Sequence, residues 1–370
     1  MIKKAFFFQH LGFNWSSAIL TEGLLKNNIN VFSTYLNNYG TLCDHPDQKN
    51  VEYFYSPRPP RFPSSWCATV NFNEFAEECK IAMDDADVIF MNEDSSITTA
   101  HIKNTSNGIQ SGLFDYAINN HSDKFILLCG SDMSNLKITF DLEPNLKLIF
   151  KREKSLGNKD YTDKFFPFPY ACEDRLFTGG KDFDTLWDSK NNFFCNLFDL
   201  DTHPLRKELA DRIRETYSKR ADVVIGTVYG GKDKEIEKHL NGPATLEDLS
   251  ISFHSLNYLN TLLSSKISID GMPGNNAFYT GRMFESLANG CCLFVPNNPN
   301  RVDFPNEYVN GEDWIVYNDV DDLMNKLDYY DIHQDELKDI ARNAFNKTLT
   351  YHTTQKRVEQ CLEVCNDNGL

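Results

Sequence analysis

Apolar residues in this chain fall into short continuous runs, separated by longer segments in which apolar positions recur every three or four residues. The continuous runs predict strands buried on both faces, at 2–8, 31–34, 51–55, 88–92, 125–129, 146–150, 193–197, 223–227 and 266–269. The periodic segments predict helices at 15–26, 72–83, 108–119, 204–218, 249–264 and 355–365. This alternation predicts an α/β fold in which helices cover parallel sheets.

The length of the chain predicts two domains. At 370 residues it exceeds the size at which a single hydrophobic core stops growing. The run Phe-Phe-Pro-Phe-Pro-Tyr at 165–170 cannot continue a helix, because proline lacks a backbone N–H and restricts the residue before it. We therefore expect a first domain over 1–170, a second over 171–352, and a final helix within 353–370.

One segment of the second domain has the pattern of a ligand site. Residues 281–295 predict a short helix, a stop at Gly290 and a buried strand, and turn-forming residues precede the helix. Arg282 and Glu285 lie three positions apart and so share one face of that helix. The helix N-terminus and the guanidinium suit a diphosphate, and the carboxylate suits the ribose diol of a nucleotide sugar. A solvent-facing ion pair is the simpler alternative for the same two residues.

The same region resembles a known family. The matching pieces are Arg-x-Phe-Glu-x-Leu-Ala-x-Gly at 282–290, Asn-Gly-Glu-Asp at 310–313, Asp-Asp-Leu at 321–323 and Tyr-His-Thr-Thr at 351–354. On these pieces residues 266–352 resemble the C-terminal, donor-binding half of group-1 type glycosyltransferases of the GT-B fold, closest to the spore-maturation-like branch. The resemblance covers about a quarter of the chain.

The resemblance implies a fold and an activity. It implies two Rossmann-like, doubly wound domains that face an interdomain cleft, with the C-terminal helix crossing back onto the N-terminal, acceptor-side domain. It implies transfer of a hexosyl or related group from a nucleoside diphosphate sugar to a hydroxyl acceptor. Many retaining members carry a second glutamate eight positions before the first, where this chain has Ala277. The resemblance therefore supports donor binding better than it supports a particular stereochemical outcome.

Candidate site residues follow from the motif and from the ends of the predicted strands, beyond which α/β sheets bind ligands. The donor-binding candidates are Arg206, Asp270, Tyr279, Gly281, Arg282, Phe284 and Glu285. Arg206 follows the first strand of the second domain, with His203 beside it, and could instead be an exposed helix charge.

Three candidates lie in the first domain. His10 could orient or deprotonate an acceptor hydroxyl, because imidazole titrates near neutrality, although a lone histidine is often structural. Asp132 could act as a base or bind a sugar hydroxyl, and it could equally cap a turn or helix. Gly12 would let the backbone approach a ligand closely. Glu93 and Asp94 rank below these residues.

Composition and charge limit the classes of partner and cofactor that we expect. The net charge of −16 works against nonspecific binding to nucleic acid or anionic lipid. The ten cysteines include no Cys-x-x-Cys pair, so we expect reduced, buried thiols and no zinc. No apolar run approaches the roughly 20 residues of a membrane span. We expect a cytoplasmic protein and leave a peripheral position at the membrane open. We expect it to need neither cofactor nor metal beyond its nucleotide sugar. The acceptor, whether glycan, lipid-linked or another hydroxyl compound, is left unassigned.

Three other functions are left open by the sequence. A metal-dependent GT-A transferase is one, because Asp182-x-Asp184 and Asp199-x-Asp201 fit an Asp-x-Asp pattern. A sugar-nucleotide 2-epimerase would keep the fold and convert the donor without an acceptor. A noncatalytic protein that binds a nucleotide sugar or a glycan is the third, and Ala277 motivates it.

Overall fold

The structure is a computed structural model that divides into two compact units. It describes residues 2–8, 15–33, 51–53, 72–93, 109–129, 143–152, 162–172, 182–198, 204–217, 219–227, 256–271, 280–297 and 306–370. Unit 1 contains Met1–Ala171, Arg301–Pro305 and Thr354–Leu370, and unit 2 contains Cys172–Asn300 and Asn306–Thr353. Two of these boundaries lie one residue from the domain ends expected at 170 and 352.

Unit 1 contains a parallel sheet of seven strands. Its strands are β1 (Lys4–Phe8), β2 (Asn30–Ser33), β3 (Val51–Tyr53), β4 (Val88–Glu93), β5 (Phe125–Cys129), β6 (Leu148–Lys151) and β7 (Phe165–Pro167). Their order is β3-β2-β1-β4-β5-β6-β7. The helices between them are α1 (Trp15–Lys26), α2 (Phe72–Asp85) and α3 (Ile109–His121), with short 3₁₀ turns at Ser122–Lys124 and Glu143–Asn145.

Unit 2 contains a second parallel sheet, of five strands. Its strands are β8 (Asn192–Phe198), β9 (Val223–Thr227), β10 (Ser265–Ile269), β11 (Cys292–Pro296) and β12 (Ile315–Tyr317), in the order β12-β11-β10-β8-β9. Its helices are α4 (Phe183–Asp188), α5 (Pro204–Tyr217), α6 (Leu256–Ser264), α7 (Gly281–Ala288), α8 (Val320–Ile332) and α9 (Gln334–Tyr351).

The strand order of unit 2 creates a switch point beside β8. The strand that follows β8 in the chain, β9, pairs with one of its edges, and β10 pairs with the other. The connections that leave β8 and β10 therefore diverge, which opens a crevice at the carboxyl ends of these strands. Ligands of doubly wound sheets bind in such crevices. In unit 1, β1 lies in the same way between β2 and β4.

Most predicted elements have the expected position, and the differences have local causes. Helix α1 and strands β5 and β9 begin and end where the sequence pattern predicts. The proline-rich segment expected only to end the first domain forms β7, which pairs with β6. Proline is tolerated there because the outer edge of a sheet needs no backbone donor. Helix α4 was not predicted, because six residues are too few to display a period.

The final helix, α10 (Thr354–Asp367), belongs to unit 1 and packs on α1. Gly23 lies at the crossing, where a Cβ atom would overlap the side chain of Val358 and the backbone oxygen of Thr354. The amide of Asn27 donates to the backbone oxygen of Gln355 at 3.1 Å. The C-terminal residues thus complete the N-terminal unit, as the resemblance implied. No helix that the structure describes is long and apolar enough to cross a membrane.

A buried lysine joins two helices of unit 2 to the start of β8. Lys190 Nζ donates to the backbone oxygens of Asn289 at 2.8 Å, Leu262 at 3.0 Å and Leu263 at 3.2 Å. These carbonyls lie at the C-terminal ends of α7 and α6, where helix carbonyls lack partners within the helix. Burial lowers the pKa of Lys190 below its ordinary value of 10.5. Lys190 therefore fixes the end of α7 that lies away from its first turn.

Substitution of Gly23 should destabilise the α1–α10 contact. We expect Gly23→Ala to lower the free energy of unfolding by about 1–3 kcal/mol, because the added methyl group forces backbone apart. The matched control is Gly112→Ala on α3, where a Cβ meets no atom within 4 Å. Denaturant unfolding should show the control within about 1 kcal/mol of the wild type, toward greater stability. Equal stability of both variants would contradict the close packing.

Removal of the Lys190 ammonium should destabilise unit 2. We expect Lys190→Met to lower the free energy of unfolding by about 2–4 kcal/mol, because three buried carbonyls lose their donor. The control, Lys207→Met on the exposed face of α5, should change it by less than about 0.5 kcal/mol.

The Lys190 contribution should also depend on pH, as denaturant unfolding of both proteins would measure. Because its folded pKa is lowered, the unfolded state binds more protons just below 10.5, and the stability of the wild type should rise with pH there. Lys190→Met should lack this rise, so a pH-independent difference between the two proteins would show that burial does not lower the pKa of Lys190.

Candidate functional site

Three charged side chains converge at the carboxyl edge of the unit 2 sheet. Asp270 directly follows β10, Arg206 lies in the first turn of α5, and Arg282 lies in the first turn of α7. Both arginines act electrostatically on the Asp270 carboxyl. Helices α5 and α7 follow the two strands on either side of the switch point, β8 and β10. The strand order therefore brings two guanidinium groups to one carboxyl group.

Hydrogen bonds fix the backbone where the chain leaves β10. The Nε of Arg206 donates to the backbone oxygen of Gly271 at 2.6 Å. The hydroxyl of Tyr317, at the end of β12, donates to the backbone oxygen of Asp270 at 2.7 Å. The hydroxyl of Thr280 donates to Oδ2 of Asp270 at 3.2 Å. Three elements thus hold the same short segment.

Burial dominates the chemistry of Asp270, which is 1% exposed. Burial raises the pKa of Asp270 above its ordinary value, and the charges of Arg282 and Arg206 oppose that shift, as does the hydrogen bond from Thr280. Among the described residues, Oδ1 of Asp270 has no hydrogen-bond partner. Burial also raises the pKa of Tyr317 well above its ordinary value, which keeps its hydroxyl protonated as a donor.

Helix α7 has a defined beginning and end. Thr280 is its N-cap, but the Thr280 side chain makes no capping hydrogen bond and instead contacts Asp270. At the other end Gly290 has a φ of 68°, and the Cys291 N–H donates to the Ser286 oxygen at 3.0 Å, which is a Schellman ending. This ending is the role predicted for Gly290. The first turn of α7 therefore has a partial positive charge at the crevice.

The buried side of α7 attaches it to the sheet. All residues of α7 except Arg282 are buried, and Glu285 is 2% exposed. The Ser286 hydroxyl donates to the Ser268 hydroxyl on β10 at 2.9 Å. The ring of Phe284 lies 5.8 Å from that of His352, within an aromatic cluster. The helix is thus held rigidly while Arg282 remains partly exposed.

The structure brings together part of the predicted site. Arg206, Asp270 and Arg282 meet around the end of β10, and Gly281, Phe284 and Glu285 lie on α7 with Arg282. The other candidates, namely His10, Gly12, Asp132 and Tyr279, lie outside the described residues, as do Asp94, His203 and Ala277. Glu93 is the last residue of β4.

The sequence patterns did not identify two residues of the site, Tyr317 and Thr280. Tyr317 ends a strand, so the rule that ligand-site residues follow strand ends could have found it. Thr280 could have been found as a helix N-cap, because threonine favours that position. Neither residue type has a chemical pattern that distinguishes it from the many other tyrosines and threonines of the chain.

The first Asp-x-Asp pair has a structural role. Asp182 is the N-cap of α4 and accepts from the Thr185 backbone N–H at 2.9 Å. Asp184 forms ion pairs with Lys338 at 2.9 Å and Arg342 at 3.0 Å. The second pair, at 199–201, lies outside the described residues. The first pair thus gives no support to a metal-dependent GT-A enzyme.

The sequence matches one family model over part of its length. Residues 206–363 match a family described as glycosyl transferase-like, a segment that begins at Arg206 and includes both Asp270 and α7. No curated protein matches the chain significantly.

Solved structures match the chain over nearly its whole length. Anabaena HepE, crystallised with UDP, has a TM-score of 0.62 and 11% identity, and the match covers 99% of this chain and all of HepE. A glycosyltransferase from Rickettsia africae has a TM-score of 0.57 and 14% identity, over 99% of this chain and 98% of its own. Sucrose-phosphate synthase from Thermosynechococcus elongatus has a TM-score of 0.58 and 10% identity, with the same coverage. At these identities the likeness establishes the fold, and the chain has the GT-B fold, with two Rossmann-like α/β units.

Proposed function

We propose that the protein is a glycosyltransferase that moves a sugar from a nucleoside diphosphate sugar to a hydroxyl acceptor without a required metal ion. One observation carries the proposal, namely the convergence of Arg206 and Arg282 on the first turns of two helices at the switch point. The match of residues 206–363 to a glycosyl transferase-like family and the GT-B fold support the same activity.

The proposed donor site uses three positive groups and one hydrogen-bond acceptor. The N–H groups at the start of α7 and the guanidinium groups of Arg282 and Arg206 would bind the diphosphate. Glu285, one turn along α7, would accept hydrogen bonds from the ribose hydroxyls. When the glycosidic bond to the diphosphate breaks, negative charge develops on the leaving oxygen, and the same cations would stabilise it. Because they supply this charge themselves, the scheme needs no divalent ion.

A solved structure of the same fold suggests a donor to test, whereas the acceptor is proposed only as a class of compound. HepE binds UDP and UDP-glucose in its crystal structures, so we propose a UDP-sugar as the first donor to test. We propose hexosyl transfer, with a glycan, a lipid-linked glycan or another hydroxyl compound as the acceptor.

His10 and Asp132 remain predicted acceptor-side residues, and Tyr279 and Phe284 remain predicted donor contacts. Membership of the spore-maturation-like branch and a cytoplasmic location, with or without peripheral membrane contact, belong to the same proposal.

Donor binding should depend on the converging arginines. We expect UDP to raise the melting temperature of the wild type by mass action, and Arg282→Met or Arg206→Met to weaken UDP binding about tenfold or more. The matched control is Arg212→Met on the exposed side of α5, whose guanidinium faces Glu215 and Asp321. Thermal-shift titrations should give the control wild-type affinity. Equal affinity in all four proteins would remove the arginines from the donor site.

Turnover should need an acceptor and no metal. We expect incubation of the protein with UDP-glucose and candidate acceptors to release UDP and form a glycosylated product, with no loss of rate in excess EDTA. Liquid chromatography with mass spectrometry separates the outcomes, because an epimer has the mass of the donor and differs from it in retention. Loss of turnover on chelation would restore a metal-dependent reaction, and conversion of the donor without acceptor would identify an epimerase. Binding with neither hydrolysis nor transfer would identify the noncatalytic alternative that Ala277 motivates.

A further inference from the structure

Asp270 lies at the centre of the donor site, yet it is covered. Its side chain is 1% exposed, and Oδ1 has no hydrogen-bond partner among the described residues. Both arginines of the proposed donor site act electrostatically on this carboxyl group. Asp270 can therefore affect a ligand through the charges of Arg206 and Arg282 without touching it.

The groups that face Asp270 come from each element packed around it. Helix α5 contributes Arg206, and α7 contributes Arg282. Helix α7 also carries a second buried carboxyl group, Glu285. The Thr280 hydroxyl donates to Oδ2, and the Tyr317 hydroxyl on β12 donates to the Asp270 backbone oxygen. Burial favours the neutral acid, whereas the two guanidinium groups favour the carboxylate. Burial outweighs the opposing effects, so the pKa of Asp270 lies above its ordinary value.

A bound diphosphate would disturb this balance. Without a donor, the Asp270 carboxylate offsets the repulsion between the two guanidinium groups that act on it. The phosphates of a donor would take over this role and would add negative charge beside Asp270. Both changes disfavour the carboxylate, while burial continues to favour the neutral acid.

We propose that Asp270 is a proton-linked positioning residue, which holds Arg206 and Arg282 together as a carboxylate and takes a proton from solvent when a nucleoside diphosphate sugar binds. The inference rests on the proposed donor site. Only a proton is transferred, from the solvent to a carboxylate oxygen of Asp270. By linkage, binding that takes up a proton becomes stronger as the pH falls.

The ligand does not itself provide this pH dependence. Each phosphate of a nucleoside diphosphate sugar has one ester and one anhydride link and a single, strongly acidic hydroxyl, so both stay ionised across the neutral and mildly acidic range. UDP-glucose is therefore a better probe than UDP, whose terminal phosphate titrates near neutrality. Any proton taken up on binding of UDP-glucose below about pH 8 belongs to the protein.

Isothermal titration calorimetry of UDP-glucose in buffers with different ionisation enthalpies tests the proposal. The wild type should take up a measurable fraction of a proton, up to about one per site. Asp270→Asn should bind with no uptake. The control, Asp313→Asn, removes another buried carboxyl group of unit 2, which pairs with Lys347 at 2.7 Å, and should retain the wild-type uptake.

The outcomes separate this inference from the proposed function. Binding by the wild type without proton uptake overturns the inference alone, as does an Asp270→Asn variant that keeps the uptake. Uptake that is kept in Asp270→Asn and lost in Glu285→Gln would assign the proton to Glu285 instead. If no nucleotide sugar binds, the proposed function fails and the inference fails with it.

A second measurement covers the case in which Asp270→Asn does not fold. The affinity of the wild type for UDP-glucose should fall as the pH rises from about 5 to about 8. The fall should reach up to about tenfold per pH unit where Asp270 is protonated in the complex and ionised in the free protein. An affinity that is constant over this range overturns the proposal without any variant.

Discussion

The electrostatic balance around Asp270 is the interaction on which the site of unit 2 depends. Two guanidinium groups, on helices that diverge from neighbouring strands, lie near one carboxyl group at the end of β10. Arg206 and Arg282 both act electrostatically on the Asp270 carboxyl, and a carboxylate there offsets the repulsion between the two like charges. The arrangement is suited to a polyanion, because two guanidinium groups and the first turn of α7 supply positive charge there.

Buried polar contacts away from the crevice support this balance. Lys190 donates to the Asn289 carbonyl at the far end of α7, the Ser286 hydroxyl donates to Ser268 on β10, and the Tyr317 hydroxyl donates to the backbone of Asp270. Each contact satisfies a group that would be costly to bury alone. Together they fix α7 against the sheet, so that Arg282 extends from a rigid helix rather than from a loop. Rigid placement matters because stabilisation of a leaving group requires charges already in position.

The site lies in a GT-B fold, and that fold alone does not determine which reaction the protein catalyses. HepE and sucrose-phosphate synthase share 11% and 10% sequence identity with this chain, and their similarity establishes the architecture. Function depends on the residues of the crevice. In this chain the Asp-x-Asp pair at Asp182 and Asp184 stabilises α4 and its contact with α9. The chemical argument therefore depends on the arginines and on the start of α7.

The sequence by itself determined the local elements and the three-residue spacing of Arg282 and Glu285 on α7, because hydrophobic periodicity and helical spacing are properties of neighbouring residues. It also determined the end of α7, because Gly290 tolerates a positive φ. It indicated Arg206 and Asp270 only as separate residues near strand ends, and it missed Tyr317 and Thr280. Only the tertiary structure decided that these residues meet, because Arg206 and Gly271 are 65 positions apart and become neighbours only when β10 pairs with β8.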